Sequence, residues 1–345
     1  MNLRGFFVSL FAVFFGLLMG AVIIYLIGKD PIKAYVVLWK GAFGTEKGFL
    51  STLTKATPLI LTGLSVAFSF RCGLFNIGAE GQLYMGAITA AYLGFKIAGL
   101  PSFIHLPLVL IAGALAGAFW GFVPGWLKAK RGVHEVINTI MMNYIAILFT
   151  DYLVTGPLMT NYVPKTPLIA KSAMLPTLLS SPPIYLSAGI LVSLLCVYIV
   201  DFILRKTVVG YEVRAVGFNP YAAEYGGISI GRNFMLAMSI SGALAGLAGA
   251  IDVCGVYHRF YGGLSGGKGF DGISVALVAQ NNPWGVILAA LLFASLRTGS
   301  NLMQLEAGIP KHIVFVIQGI VIFTVACERA FRTYFAFKER RKESA

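Results

Sequence analysis

Long apolar stretches with few or no charges recur along almost the whole 345-residue chain, separated by short polar segments rich in Gly, Pro, Lys and Arg. The first runs uncharged from Phe6 to Gly28. A bilayer's hydrocarbon core is about 30 Å thick, so a helix rising about 1.5 Å per residue crosses it with about 20 apolar residues. Read with a window of about 19 residues, the pattern predicts ten helical spans, at 6–28, 49–70, 83–100, 104–126, 133–155, 184–204, 233–256, 268–280, 284–303 and 311–328. The stretch at 268–280 is too short to cross unless it tilts or re-enters. The 6–28 run exceeds the apolar core of a signal peptide and lacks a clear A-x-A site, so it reads as a retained first span.

Composition agrees with this pattern: 57% of residues are hydrophobic, 12% are charged, and the mean hydropathy is +0.80. Soluble domains carry roughly 25% charged residues. The net charge of +13 would suggest nucleic acid in a soluble domain, but here the basic residues lie between apolar runs, which fits a positive-inside bias and excludes a nucleic-acid stripe. An even span number puts both termini on one side. If that side is the cytoplasm, it holds 15 of the 27 basic residues: Arg4, Arg71, Lys128, Lys130, Arg131, Arg205, Lys206, Arg214, Arg232 and six more between Arg329 and Lys342. The other side holds ten, and Lys55 and Arg297 fall within spans. The expected organisation is a single transmembrane domain over 1–345, with an N-terminal span at 6–28, a core at 49–328, a cytoplasmic loop at 205–232 and a basic tail at 329–345. In the loop, Asn219-Pro220 should open a short helix and Gly226-Gly227 should close it.

Forty glycines add detail. Gly113, Gly117, Gly121 and Gly125 line one face of a span, and the peptide Gly-Ala-Leu-Ala-Gly occurs at 113–117 and again at 242–246, a device for close helix packing or a trace of duplication. Elsewhere glycines break the apolar pattern at 71–82 and 261–272. Broken helices at corresponding places in two halves mark transporter folds built from internal repeats, and non-helical backbone at membrane depth survives only against protein or a water-filled path. Asn76, Glu80, Gln82 and Asp271 are therefore candidates for lining a path, as are Asn138 and Asn143, all offering hydrogen bonds to a neutral polyhydroxylated solute. The alternative is a surface turn, with Glu80 and Asp271 solvated or paired to Arg71 and Lys268. Lys55, Asp151, Asp201, Asp252 and Arg297 sit near span ends, where they could snorkel to the interface.

Three enzymatic patterns fail. Gly262 to Lys268 matches GxxxxGK, but Gly269 stands where a magnesium-binding hydroxyl belongs and no strand precedes it. Gly263-Leu-Ser-Gly266 matches the GxSG of intramembrane serine proteases, with His258 and His312 as possible bases, yet Ser265 lies outside a clear span. No HExxH occurs. The four cysteines are widely spaced, without CxxC, and read as apolar space-fillers.

The run Gly63-Leu-Ser-Val-Ala-Phe-Ser-Phe-Arg-Cys-Gly-Leu-Phe-Asn-Ile-Gly-Ala-Glu-Gly-Gln82 resembles the permease subunits of ABC importers of the branched-chain amino acid, ribose and simple-sugar superfamily. Segments at 133–145, 214–223 and 269–277 resemble the same family in the expected order. The form Asn-Ile-Gly-Ala-Glu-Gly-Gln is similar to the larger permease of bacterial nucleoside uptake systems. The sequence departs from the family pattern at Ala279-Gln280, where a Gly is expected. The resemblance implies an all-α integral membrane permease of the bacterial cytoplasmic membrane, not itself an enzyme. It would work by alternating access with an ABC ATPase, a substrate-binding lipoprotein and a second permease. No cofactor is expected in this chain, ATP and magnesium belonging to the ATPase. The 211–226 knob, with Tyr211, Arg214, Asn219, Pro220 and Tyr225, would dock the ATPase. A ribose- or galactose-type sugar permease and an ion-coupled secondary transporter are the alternatives.

Overall fold

The computed structural model describes residues 3–97, 99–325 and 327. Helices occupy all ten stretches in which spans are expected. They are α1 (Leu3–Leu26), α2 (Pro31–Phe43), α3 (Glu46–Arg71), α4 (Ala79–Lys96), α5 (Ser102–Arg131), α6 (Glu135–Thr155), α7 (Gly189–Lys206), α8 (Val208–Phe218), α9 (Pro220–Tyr225), α10 (Ile230–Asp252), α11 (Lys268–Val278), α12 (Pro283–Ala307) and α13 (His312–Val325). Five of them, α3, α5, α6, α10 with its extension, and α12, are long and apolar enough to cross a membrane by length and composition, and two shorter apolar helices lie at 10–26 and 312–325. The molecule is an all-α membrane protein. The basic tail at 329–345, and the end of the span expected at 311–328, lie outside the described residues.

α3 is the axis of the bundle. Its residues from Ala56 to Ser69 are buried without a break, against α10, α11 and α12. α5 and α10 run antiparallel along a glycine seam, where the two Gly-Ala-Leu-Ala-Gly peptides face each other. A Cβ on Gly117 would strike the backbone of Gly242 and Gly246, and one on Gly246 would strike Gly113 and Gly117. Gly86 of α4 meets Gly246 from the third side. The repeated peptide is thus one packing surface seen from both partners.

Two features differ from the expected layout. Residues 184–187, assigned to a span by their apolar content, form strand β2 (Ile184–Ser187), paired antiparallel with β1 (Thr177–Ser181), and the helix starts only at Gly189. Apolar content alone does not separate a short strand from a helix start. α2, not expected at all, is capped by Asp30, whose carboxylate accepts the N–H groups of Ile32 and Lys33, and lays Ala34, Val37, Leu38 and Ala42 against α12. Leu38 fits over Gly299. Its other face exposes Ile32, Val36 and Trp39.

The bundle therefore has a hairpin end, with β1 and β2, and a knob end, with α8 and α9. α9 follows the expected pattern: Asn219 Oδ1 accepts the N–H groups of Tyr221 and Ala222, Pro220 occupies the first turn, and Gly226 with Gly227 (φ +83°) ends the helix.

Candidate functional site

The broken segments at 72–78 and 258–267 meet at the start of α11. Gly266 and Gly267 both have left-handed φ, +56° and +86°, a conformation that favours glycine. Gly269 must also be glycine, because a Cβ there would collide with the backbone of Ala79 and Glu80. That close approach lets the Glu80 carboxylate accept the Gly269 N–H at 2.7 Å, at the N-terminus of α11, where a negative charge is favoured. Thr62 Oγ1 donates to the Lys268 carbonyl at 3.1 Å, and Ser265 Oγ accepts the Lys268 N–H at 3.1 Å.

Side-chain charges then close the cluster. Lys268 Nζ lies 2.6 Å from Asp252 Oδ2 and 5.1 Å from the Tyr257 ring centroid. Arg297 Nη1 lies 2.9 Å from Asp271 Oδ2, and Arg297 Nη2 also donates to the Gly266 carbonyl. These contacts tie α3, α4, α10, α11 and α12 together at one point. Beside them opens a cavity of about 500 Å³ between α3, the β hairpin and the 255–268 segment. Lys55, Tyr185, Asp252, Tyr257, His258, Tyr261, Lys268 and Arg297 are among the residues on its walls. The volume and the few convergent polar groups are those of a small-molecule site, typically about 300–1,000 Å³.

The six path candidates read from sequence do not line this cavity. Glu80 and Asp271 hold α11 as described, and neither pairs with Arg71 or Lys268. Asn76 Nδ2 donates to Gln82 Oε1 at 3.0 Å and to Ser241 Oγ at 2.7 Å, while its Oδ1 accepts the Gly78 N–H. Asn143 accepts the Gly81 N–H at 2.8 Å and donates to the Ile77 carbonyl at 2.9 Å. These side chains satisfy the extended backbone of 72–78 in the interior, as non-helical chain at that depth requires. Asn138 Nδ2 is buried and has no hydrogen-bond partner among the described residues. The cavity residues not read as path candidates from sequence are Lys55, Tyr257, His258, Tyr261 and Arg297, together with the Asp252–Lys268 pair; the signals were a charge inside an apolar stretch for Lys55, Asp252 and Arg297 and the glycine-broken pattern at 261–272 for Tyr261 and Lys268, and Tyr257 had none. Among the described residues no group of three or more His, Cys, Asp or Glu gathers as a metal site.

At the knob end Tyr211, Phe218, Tyr221 and Tyr225 project outward, Phe218 being 88% and Tyr225 97% exposed. Arg214 is half-buried, its Nε donating to the Gly210 carbonyl at 3.2 Å. Asn219 caps α9 and Pro220 opens its first turn, the Asn219 side chain being exposed. Gly217 abuts the backbone of Arg71 and Cys72, and the Arg71 guanidinium donates twice to the Asn281 carbonyl, at 3.1 and 2.9 Å. The knob is thus in contact with the broken segment that leads to Asn76 and Glu80, and through Arg71 with the turn between α11 and α12.

Comparison with known families bears on what such an assembly is. The family described as "Branched-chain amino acid transport system / permease component" matches residues 48–326. The chain belongs to this family. The permease is 45% identical to the guanosine ABC transporter permease NupP of Bacillus subtilis, an alignment covering 98% of this chain and 97% of the relative. It is 40% identical to the nucleoside ABC transporter permease NupB of Lactococcus lactis, over 92% and 90%. It is 34% identical to the glucose ABC transporter permease TsgB13 of Haloferax volcanii, over 92% and 86%. No solved structure matches the permease.

Proposed function

We propose that this permease is the membrane subunit of an ATP-driven importer that carries nucleosides across the bacterial cytoplasmic membrane. The observation that carries the reading is the 45% identity, over nearly the whole of both chains, to a guanosine permease. Under it the knob end and both termini face the cytoplasm, and the hairpin end, with its cavity, faces the substrate-binding lipoprotein. A second, related permease completes the membrane unit. The chain carries no cofactor and hydrolyses nothing; ATP and magnesium are handled by the partner ATPase, which docks on Tyr211, Phe218, Tyr221 and Tyr225. Arg214, Asn219 and Pro220 belong to the same surface, Asn219 also capping α9.

The contacts supply a mechanical route for alternating access. Movement of α8 pushes Gly217 against Arg71 and Cys72, and the 72–78 segment passes the displacement through Glu80 to the start of α11, where Lys268 lines the cavity. Uptake of labelled nucleosides by a strain lacking this permease tests the reading. Nucleoside uptake collapses in the deletion strain and returns with the gene, while ribose, galactose and glucose uptake is unchanged. The 34% identity to a glucose permease supports a second reading, and the opposite result, sugar uptake lost and nucleoside uptake intact, selects it.

A further inference from the structure

We infer that the cavity beside α11 recognises the base of an oxopurine nucleoside and that Lys55 sets its preference, an inference that rests on the nucleoside reading above. Three cations line this cavity. Lys268 and Arg297 each hold a carboxylate, at 2.6 and 2.9 Å. Lys55 has neither a hydrogen bond nor an ion pair among the described residues, although it stands one residue before the stretch of α3 that is buried without a break, 56–69. A half-buried ammonium without a partner is costly, and its neighbours Arg297 and Lys268 repel it. Such a group is retained where something entering the cavity supplies the acceptor.

The rest of the wall describes that visitor. The Tyr257 and Tyr261 rings stand 5.3 Å apart at 89°, with Tyr185 on the same cavity wall, so the site offers flat aromatic surfaces. His258, held at φ +56° where the π-turn 253–257 ends, also lines the cavity, and its buried Nδ1 has no hydrogen-bond partner among the described residues. Aromatic faces and an unpaired cation together fit a heteroaromatic base that carries a carbonyl. Guanine and hypoxanthine present O6 and N7 side by side, two acceptors that a lysine ammonium matches, whereas adenine places an amino donor beside N7 and sets donor against donor. A site with a committed buried donor rejects the analogue that lacks the acceptor more strongly than an apolar pocket rejects a change of size.

The test is uptake of guanosine, inosine and adenosine into proteoliposomes holding the complete importer, with Lys55→Met, Lys55→Gln and Lys55→Arg compared with wild type. The receptor is the same in every preparation, so a change in the guanosine-to-adenosine ratio of kcat/KM reports the permease alone. Loss of a charged hydrogen bond to the carbonyl lowers that ratio about tenfold in Lys55→Met and Lys55→Gln, with inosine following guanosine, and Lys55→Arg keeps it within about threefold. An unchanged ratio in Lys55→Met or Lys55→Gln, whatever happens to the absolute rates, overturns the assignment and leaves the nucleoside reading standing. Failure of the wild-type importer to move any nucleoside overturns both.

Discussion

The Asp252–Lys268 pair shows most clearly how a single residue carries the fold. Both side chains are nearly withdrawn from solvent, so each charge depends on the other. Removing one partner from such a pair costs about 3–5 kcal/mol, because the remaining charge is left buried and uncompensated. Asp252→Ala is expected to lower the unfolding temperature of the purified permease sharply. The double variant Asp252→Ala with Lys268→Met is expected to recover much of the loss, since two apolar groups leave no orphan charge; a double variant as unstable as the single one would contradict this. Glu80 behaves differently, because what it holds is a backbone N–H. Glu80→Gln keeps an acceptor and is expected to be nearly neutral in the same melt, whereas Glu80→Ala leaves the Gly269 N–H buried and unmet, a loss of about 1–3 kcal/mol. Sequence revealed that these charges were unusual but not whom they met. Glu80 and Gly269 lie 189 positions apart, and no local pattern ranks Lys268 against Arg71 as a partner for an acid. Lys55 and Arg297 were placed at span ends, where snorkelling accounts for a charge without any cavity.

At the scale of elements, helices without exposed polar faces were the most legible, since an uninterrupted apolar stretch is its own signal. α2 was hidden because half of it is exposed and Lys33 and Lys40 break its apolar content. β2 was hidden because its four residues are as apolar as the helix that follows. The α5–α10 seam was legible as glycine spacing, although the spacing did not say that its two copies were each other's partners. Gly246→Leu is expected to prevent accumulation of the permease in the membrane, for its side chain would enter the backbone of Gly113 and Gly117. Gly319→Ala, in α13 where an added Cβ meets nothing, is expected to be produced at wild-type level; immunoblots of membrane fractions read both. On the knob, replacing Phe218, Tyr221 and Tyr225 together by Ala removes only exposed rings. The melt of the isolated permease should stay put while the ATPase no longer co-purifies, and retained co-purification would remove α8 and α9 as the docking surface.

For the whole molecule, a chain that is 57% hydrophobic and 12% charged leaves little polar surface, and several of its few charges gather in one cluster around α11, where Lys268 meets Asp252 and Arg297 meets Asp271. The cavity lies beside that cluster, next to the β hairpin, and the exposed aromatic residues of α8 and α9 lie at the other end, in contact with the start of the broken segment at 72–78. Under the proposed function, work enters at the knob from a partner that hydrolyses ATP and is delivered at the cavity to a nucleoside. The direct measurement is accumulation of labelled guanosine in proteoliposomes containing the permease with and without the ATPase, the second permease, the receptor and ATP. Accumulation against a gradient is expected only when all are present and ATP is hydrolysed. Accumulation by the permease alone, driven by an ion or proton gradient, would contradict it.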